Sequence, residues 1–225
     1  MRKKTALVIG GLKGIGQAIS SGLAAQGFVT YATSRDSHEG EEAGIVPLRM
    51  DVTNETEVNS VFQLIQEKHD SLDVLVNNAG ISLPGPFQEA DEKDWEAVFK
   101  TNVFGPFLCT KKAFPLMEKA GGRIINISSI MTKRPLSQQS IYTSSKQALE
   151  GMGKVLAEEW YRYGIMTTNI NLGATYTDLW KGVEGFSSDD MLSVNDVARV
   201  VSFIATTPLH VRIDDLTLTP PKGVL

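Results

Sequence analysis

The 225-residue chain reads as an α/β protein in which helices cover both faces of a parallel sheet. Three observations lead there. Strand-like apolar runs alternate strictly with helix-period segments, the connections between them are short, and runs such as ALVI (6–9) and DVLV (73–76) are nearly continuously apolar. That last feature marks strands buried on both sides, as a parallel sheet requires.

The elements follow in order. TALVIG (5–10) is an apolar run closed by glycine, and a first helix over 14–26 opens behind it. FVTYATS (28–34) and GIVPLRM (44–50) are strand-like runs bounded by turn-forming residues. A helix over 54–69 precedes LDVLVNNA (72–79), the fourth strand. A long helical stretch over 91–118 leads to GRIINISS (122–129), and a helix over 142–163 leads to MTTNINL (166–172). A last helix spans 193–206, and the tail RIDDLTLTPPKGVL (212–225) alternates before meeting prolines, which suits an edge strand with an extended end. GVEGFSSDD (182–190) is polar and Gly-rich, so a mobile loop is expected there. No internal repeat or linker interrupts the pattern, and one domain over 1–225 is expected.

Composition narrows the function classes. A net charge of −4 with scattered basic residues lacks the electrostatic footprint of a nucleic-acid binder. The start, MRKKTALVIGG, has an apolar run of only five residues, and nowhere does the chain approach the ~20 apolar residues of a membrane span. Cys109 is the single cysteine, which fits a reducing compartment, and the cytoplasm is the expected location. His38, His69 and His210 are too far apart in sequence for a metal-ligand motif, so no metal is expected.

The first chemical signal is IGGLKGIGQAI (9–19), lying between a strand and a helix. Gly10, Gly14 and Gly16 let the backbone turn tightly and bring the free N–H groups and positive end of the helix against a phosphate. Their spacing, Gly-x-x-x-Gly-x-Gly, differs from the general GxGxxG fingerprint. The second signal is SIYTSSKQALEGMGKVL (140–156), where Tyr142 and Lys146 stand four apart on one helix face. A free phenol titrates near ~10, and an ammonium one turn away favours the phenolate, which tunes Tyr142 for acid–base work. Leu149, Met152, Leu156 and Trp160 form the neighbouring stripe and are expected to face the core.

Taken together, the glycine motif, Asn77-Asn78-Ala79-Gly80, Asn102, Ser129 and Tyr142-x-x-x-Lys146 resemble the short-chain dehydrogenase/reductase family across nearly the whole chain. The separation of thirteen between Ser129 and Tyr142 is that of family members and singles out Ser129 over Ser128. The resemblance implies a Rossmann-type doubly wound sheet in a three-layer αβα sandwich, a nicotinamide cofactor, and hydride transfer to or from a carbonyl or alcohol carbon. It also implies roles. Tyr142 exchanges the proton, Ser129 holds the substrate oxygen, Lys146 tunes Tyr142 and binds the nicotinamide ribose, and Asn102 anchors a water leading to solvent. Asn78, Ala79 and Gly80 would pass beside the adenine ribose, with Asn78 as much a brace as a ligand. Ile15 belongs to the phosphate turn; Asp51 and Val52 would meet the adenine, although Asp51 equally suits the start of the next helix with Thr53 and Asn54. Gly173, Thr175 and Thr177 would meet the nicotinamide end, Thr177 at its carboxamide.

Cofactor choice turns on Ser34-Arg35-Asp36 at the end of the second strand. Ser34 stands where NAD-dependent relatives carry aspartate, Arg35 where NADP-dependent ones carry arginine, and Lys13 adds a second cation, so NADP (as NADPH) is expected and NAD is the rival, favoured by Asp36. Two departures stand out: Ile9 replaces the usual threonine before the glycines, and Leu172-Gly173 replaces Pro-Gly, which should loosen the exit from the sixth strand. A short lid over 178–192 and apolar walls from 82–86, 130–136, Trp180, Phe186 and Met191 suggest an open pocket for a small ketone, aldehyde or alcohol. Two other readings remain. Lys111, Lys112, Lys133 and Arg134 would serve a reductase of 3-oxoacyl thioesters on an acyl carrier protein, while a catalytically silent dinucleotide sensor is opposed by the intact Ser129, Tyr142, Lys146 and Asn102. By resemblance, the helices over 91–118 and 142–163 would pair between copies in a homodimer or homotetramer, with Trp160 and Phe107 in that interface or in the core.

Overall fold

The computed structural model describes residues 2–36, 44–180 and 187–222. Its sheet has the strands β1 (Thr5–Ile9), β2 (Val29–Ser34), β3 (Ile45–Arg49), β4 (Val74–Asn77), β5 (Gly122–Ser129), β6 (Ile165–Leu172) and β7 (Asp215–Leu218). They are ordered β3-β2-β1-β4-β5-β6-β7, with every pairing parallel. From β1 the chain winds outward to β3, then returns to the other side of β1 with β4. This reversal opens a crevice at the carboxyl ends of β1 and β4, the place where such sheets bind ligands.

The helices are α1 (Gly14–Ala25), α2 (Glu55–Lys68), α3 (Glu92–Phe99), α4 (Gly105–Met117), α5 (Ser140–Trp160) and α6 (Val194–Thr206). Alternate residues of the central strands feed two cores. Leu7, Ile9, Leu75 and Ile124 pack with Val58, Phe62, Leu108 and Ala113 of α2 and α4, whereas Ala6, Val8, Val76 and Ile125 pack with Ile19, Leu23, Val197 and Val201 of α1 and α6. Three layers result, as the alternation of elements implies. Helix starts are set by local chemistry: Asn54 accepts from the Thr56 and Glu57 N–H groups to cap α2, and Ser193 and Asp196 form a reciprocal capping box on α6. Pro47 lies in β3, an outer strand, where its missing N–H costs no ladder bond. β7 is the opposite outer strand, as the tail's alternation suggests.

One expected element differs. The stretch over 91–118 is not one α-helix: a π-helical turn over Lys100–Phe104 separates α3 from α4, and the Gly105 N–H bonds the Lys100 carbonyl five residues back. Pro106 supplies a reason, since it has no N–H to offer the Asn102 carbonyl four residues earlier. Among the described residues no helix is long and apolar enough to cross a membrane, and no group of His, Cys, Asp or Glu could hold a metal ion.

Two polar features lie inside the sheet. Asn77, Asn126, Asn169 and Asp215 are in register on four successive strands. Asn77 Nδ2 donates to Asn126 Oδ1 (2.9 Å), Asn126 Nδ2 to Asn169 Oδ1 (3.0 Å) and Asn169 Nδ2 to Asp215 Oδ1 (3.5 Å). At the start of β5 the Arg123 guanidinium is buried and donates to the carbonyls of Thr207, Pro208 and Val211 just beyond α6.

Helix α5 rests on the amide ladder at Gly153. A Cβ there would sit 2.4 Å from Asn169 Oδ1 and 2.7 Å from Asn126 Nδ2. Gly153→Ala is therefore expected to destabilise the fold by about 1–3 kcal/mol, through overpacking, although alanine is the better helix former. Chemical denaturation checks this; unchanged or increased stability would show that α5 does not need the close approach.

Candidate functional site

The site is assembled at the crevice from segments spread along the chain. In the glycine turn, Gly10 and Gly14 take left-handed conformations with φ of 71° and 53°. A Cβ on Gly16 would lie 1.9 Å from the Gly10 carbonyl oxygen, so no side chain is possible there. The turn is braced on both sides: Ser20 Oγ lies within hydrogen-bonding distance of the Gly11 and Gly16 carbonyls, and Asn78 Nδ2 donates to the Ile9 and Gly10 carbonyls. Asn78 is thus a brace, one of the two roles expected for it. Ile9 offers no hydroxyl, but Thr33 on β2 takes up that work, with its Oγ1 accepting from the Gly10 N–H at 3.3 Å. Helix α1 has no side-chain cap and no acidic residue in its first turn, which leaves Gly14, Ile15 and Gly16 as an uncapped, electropositive helix start.

At the end of β2 the Ser34 hydroxyl bonds the Asp36 backbone, while Lys13 Nζ reaches Asp36 Oδ2 at 2.5 Å, both partners largely exposed. Arg35, between Ser34 and Asp36 in sequence, is close enough to Asp51 to stabilise its charge. Burial pushes the Asp51 carboxyl up, but the Thr53 N–H and hydroxyl, with Arg35 and Lys100, outweigh it and hold the group below the usual carboxylate range. Asp51 is not the cap of α2; Asn54 is. Val52 is buried against Gly105, whose added Cβ would meet Val52 Cγ2 at 2.6 Å.

The reactive groups meet beside Gly80. A Cβ on Gly80 would lie 3.3 Å from both Asn102 Oδ1 and Lys146 Nζ, so this backbone passes tightly between two expected site residues. Lys146 is buried and donates to the Ile127 carbonyl at 2.7 Å, with its ammonium 5.7 Å from the centre of the Tyr142 ring. Burial lowers the Lys146 pKa to about 8. Tyr142 is raised: burial pushes the phenol up, and the Ser129 hydroxyl pulls it only partly back. This corrects the expectation from spacing alone, because the desolvation that lets the two groups meet also disfavours the phenolate. Ser129 itself accepts from the Met131 N–H at 3.2 Å.

The Asn102 side chain is held entirely by protein groups. It accepts from the Ile81 N–H (2.8 Å) and donates to the Ile81 carbonyl (2.9 Å) and to Ser145 Oγ (3.0 Å). It clamps the loop after β4 to α5. Beyond β6, Gly173 N donates to the Leu218 carbonyl at 2.7 Å, Pro220 crowds Gly173, and Thr175 pairs with Leu192. The exit is therefore pinned from β7 despite Leu172, contrary to the expected loosening. Thr177 lies over the glycine turn, its Cγ2 3.6 Å from where a Gly14 Cβ would be. Of the expected pocket wall, Ile130 and Met191 are buried, Trp180 is partly buried, and Leu136 is exposed. Phe186 and most of the lid's 182–190 stretch lie outside the described residues. On α5, Leu149 faces the core as expected and Trp160 packs on Phe114, but Met152 turns to an outer groove. Sequence reasoning missed Thr33 and Ser145, whose partners Gly10 and Asn102 are distant in the chain, and Ser20, which braces the turn from within its own helix.

A phosphate-cradling turn at the switch point, joined to a Ser129, Tyr142 and Lys146 cluster, defines a dinucleotide-dependent oxidoreductase. The family model described as short chain dehydrogenase matches residues 4–186, and the chain belongs to that family. The human "Dehydrogenase/reductase SDR family member 11" is 30% identical, with 99% of this chain and 96% of the relative covered. A "3-oxoacyl-[acyl-carrier-protein] reductase" from Synechocystis is 31% identical over 99% of this chain and 97% of its own. Among solved structures, "ElxO with NADP Bound" superposes with a TM-score of 0.88 at 31% identity, covering 96% of this chain and 97% of the other.

Burying an ammonium carries a testable cost. Between pH 8 and the ordinary lysine value of 10.5 the unfolded chain holds a proton that folded Lys146 has released, so the wild type gains stability as pH rises through that window. Lys146→Met lacks this gain. Its melting temperature relative to the wild type is expected to be highest at pH 7 and to fall as pH approaches 10.5; thermal melts across pH check it, and a pH-independent difference would refute it.

Proposed function

We propose that the protein is an NADPH-dependent reductase of ketones or aldehydes, working in the cytoplasm. The observation that carries this reading is the convergence of Lys146, Tyr142 and Ser129 at the mouth of a glycine cradle that tolerates no Cβ at Gly16. The cradle fits a dinucleotide: its uncapped helix start faces the turn where a pyrophosphate would lie, and Lys13, Arg35 and the Ser34 hydroxyl form an edge suited to a 2′-phosphate, with Lys13 paired to the Asp36 carboxylate. Asp51 and Val52 would flank the adenine, Ala79 and Gly80 its ribose, and Gly173, Thr175 and Thr177 the nicotinamide end. When bound, NADPH supplies the hydride.

The chain's own residues supply everything else. Tyr142, whose raised pKa keeps it protonated at neutral pH, donates its proton to the substrate carbonyl oxygen. Ser129 donates a hydrogen bond to the same oxygen and offsets the charge that develops there. Lys146, with a pKa of about 8, is poised to return a proton and to hold ribose hydroxyls. Asn102 holds the Gly80–Ile81 backbone beside Lys146 through its side chain, while its main-chain carbonyl, which Pro106 cannot serve, is the acceptor for a water leading to solvent.

A second reading, reduction of 3-oxoacyl thioesters, is favoured by Lys133 and Arg134, which follow the Ser129 turn, and by the Synechocystis relative. Lys111 and Lys112 support it less, since they lie on α4, where the Lys111 ammonium sits over Phe107 (5.8 Å). The surfaces of α3, the π-helical turn, α4 and α5 carry an apolar groove lined by Trp95, Phe99, Val103, Phe104, Phe107 and Met152, which a second copy of the chain would cover in a homodimer or homotetramer. Phe107 belongs to that surface and Trp160 to the core margin.

A panel of small ketones, aldehydes and 3-oxoacyl thioesters assayed by NADPH consumption tests the reading. Tyr142→Phe should lose most turnover and keep nucleotide binding; full activity in that variant would refute the mechanism. Asp36→Asn, which frees Lys13 from its carboxylate, is expected to lower the KM for NADPH about twofold to fivefold and leave that for NADH unchanged.

A further inference from the structure

Glu150 is a buried acidic residue on α5 that the proposed mechanism does not use, one helical turn beyond Lys146. A carboxyl group inside a protein is costly unless its oxygens are bonded. Here Oε1 accepts from Ser128 Oγ at 3.1 Å and lies 2.7 Å from Thr132 Oγ1. It also accepts from Asn171 Nδ2, with the Asn171 amide oriented as its neighbours require. These partners surround Ser129. Ser128 precedes it, Thr132 Oγ1 lies 2.9 Å from the Ser129 carbonyl oxygen, and Asn171 Nδ2 donates to that same carbonyl at 3.3 Å. On the outer side Lys133 Nζ donates to Asn171 Oδ1 at 3.1 Å, and Lys154 Nζ lies 3.8 Å from Glu150 Oε2. One oxygen thus gathers the strand end before Ser129, the short turn after it, and the end of the neighbouring strand.

We infer that Glu150 is a positioning residue: by accepting from Ser128, Thr132 and Asn171 it fixes the turn that presents the Ser129 hydroxyl to Tyr142. This rests on the role proposed above for Ser129. Both ends of the arrangement are on α5, since Tyr142 and Glu150 lie two turns apart, so the helix that carries the proton donor also sets the position of its hydrogen-bonding partner. What matters is an acceptor at Oε1, and glutamine supplies one.

The experiment compares Glu150→Ala, Glu150→Gln and Ser129→Ala with the wild type. Glu150→Ala is expected to lower kcat about tenfold to a hundredfold, the effect of a small misplacement at the reacting atoms, with the KM for NADPH within about twofold. Glu150→Gln should restore most of kcat, and Glu150→Ala should cost nothing further in the Ser129→Ala background. A second readout is independent of turnover. The Met131 N–H, which donates to Ser129 Oγ, should exchange at least about tenfold faster in Glu150→Ala than in wild type or Glu150→Gln, with amides of β4 unchanged. Losses that multiply in the double variant, a glutamine variant as impaired as the alanine one, or unaltered Met131 exchange would each overturn the inference. If the wild-type protein reduces no carbonyl, the proposed function falls, and Met131 exchange alone decides the positioning role.

Discussion

The hydrogen bond from Lys146 Nζ to the Ile127 carbonyl, 2.7 Å long and closed off from solvent, ties α5 to β5 where the two deliver the reacting groups. An ammonium held this way is stable only if its surroundings stay polar and fixed, because desolvation penalises any loosened arrangement. Its neighbours are accordingly tied by close contacts and hydrogen bonds. Gly80 leaves no room beside it, Asn102 holds the loop through both amide ends, and Ser145 links that clamp back to the Tyr142 carbonyl at 2.7 Å. Deeper in, the asparagine ladder gives α5 a polar floor that only Gly153 can approach. The helix carrying Tyr142 and Lys146 is therefore held at both levels by amide groups rather than by apolar packing alone.

What the sequence made legible shares one property: its meaning is local. The glycine cradle could be read because φ above zero and close backbone approach select glycine at fixed spacing, and Gly10, Gly14 and Gly16 behave as that rule requires. Tyr142 and Lys146 could be paired because a helix brings positions four apart together. The continuous apolar runs in β1 and β4 announced burial on both faces, and the two cores fill from alternate residues of those strands.

The remainder depended on partners far along the chain. Nothing near Asn77, Asn126 or Asn169 signals that three strands in register would align them, nor that Thr33 on a neighbouring strand would replace the hydroxyl missing at Ile9. The π-turn was hidden because Thr, Asn, Val and Phe suit an α-helix well enough; only Gly105-Pro106 hinted at the missing donor. The direction of the phenol's shift was not legible for a related reason. Spacing reveals that an ammonium is near, but burial, which moves both groups towards their neutral forms, is a property of the assembled fold.

The buried guanidinium of Arg123 bears on how the chain is made. Three carbonyls after α6 supply its acceptors, so during synthesis β5 leaves the ribosome with a cation it cannot bury until Val211 has followed. A polypeptide cut short before that point would leave the guanidinium without these acceptors, so the seating of β5 in the sheet is tied to the turn that follows α6.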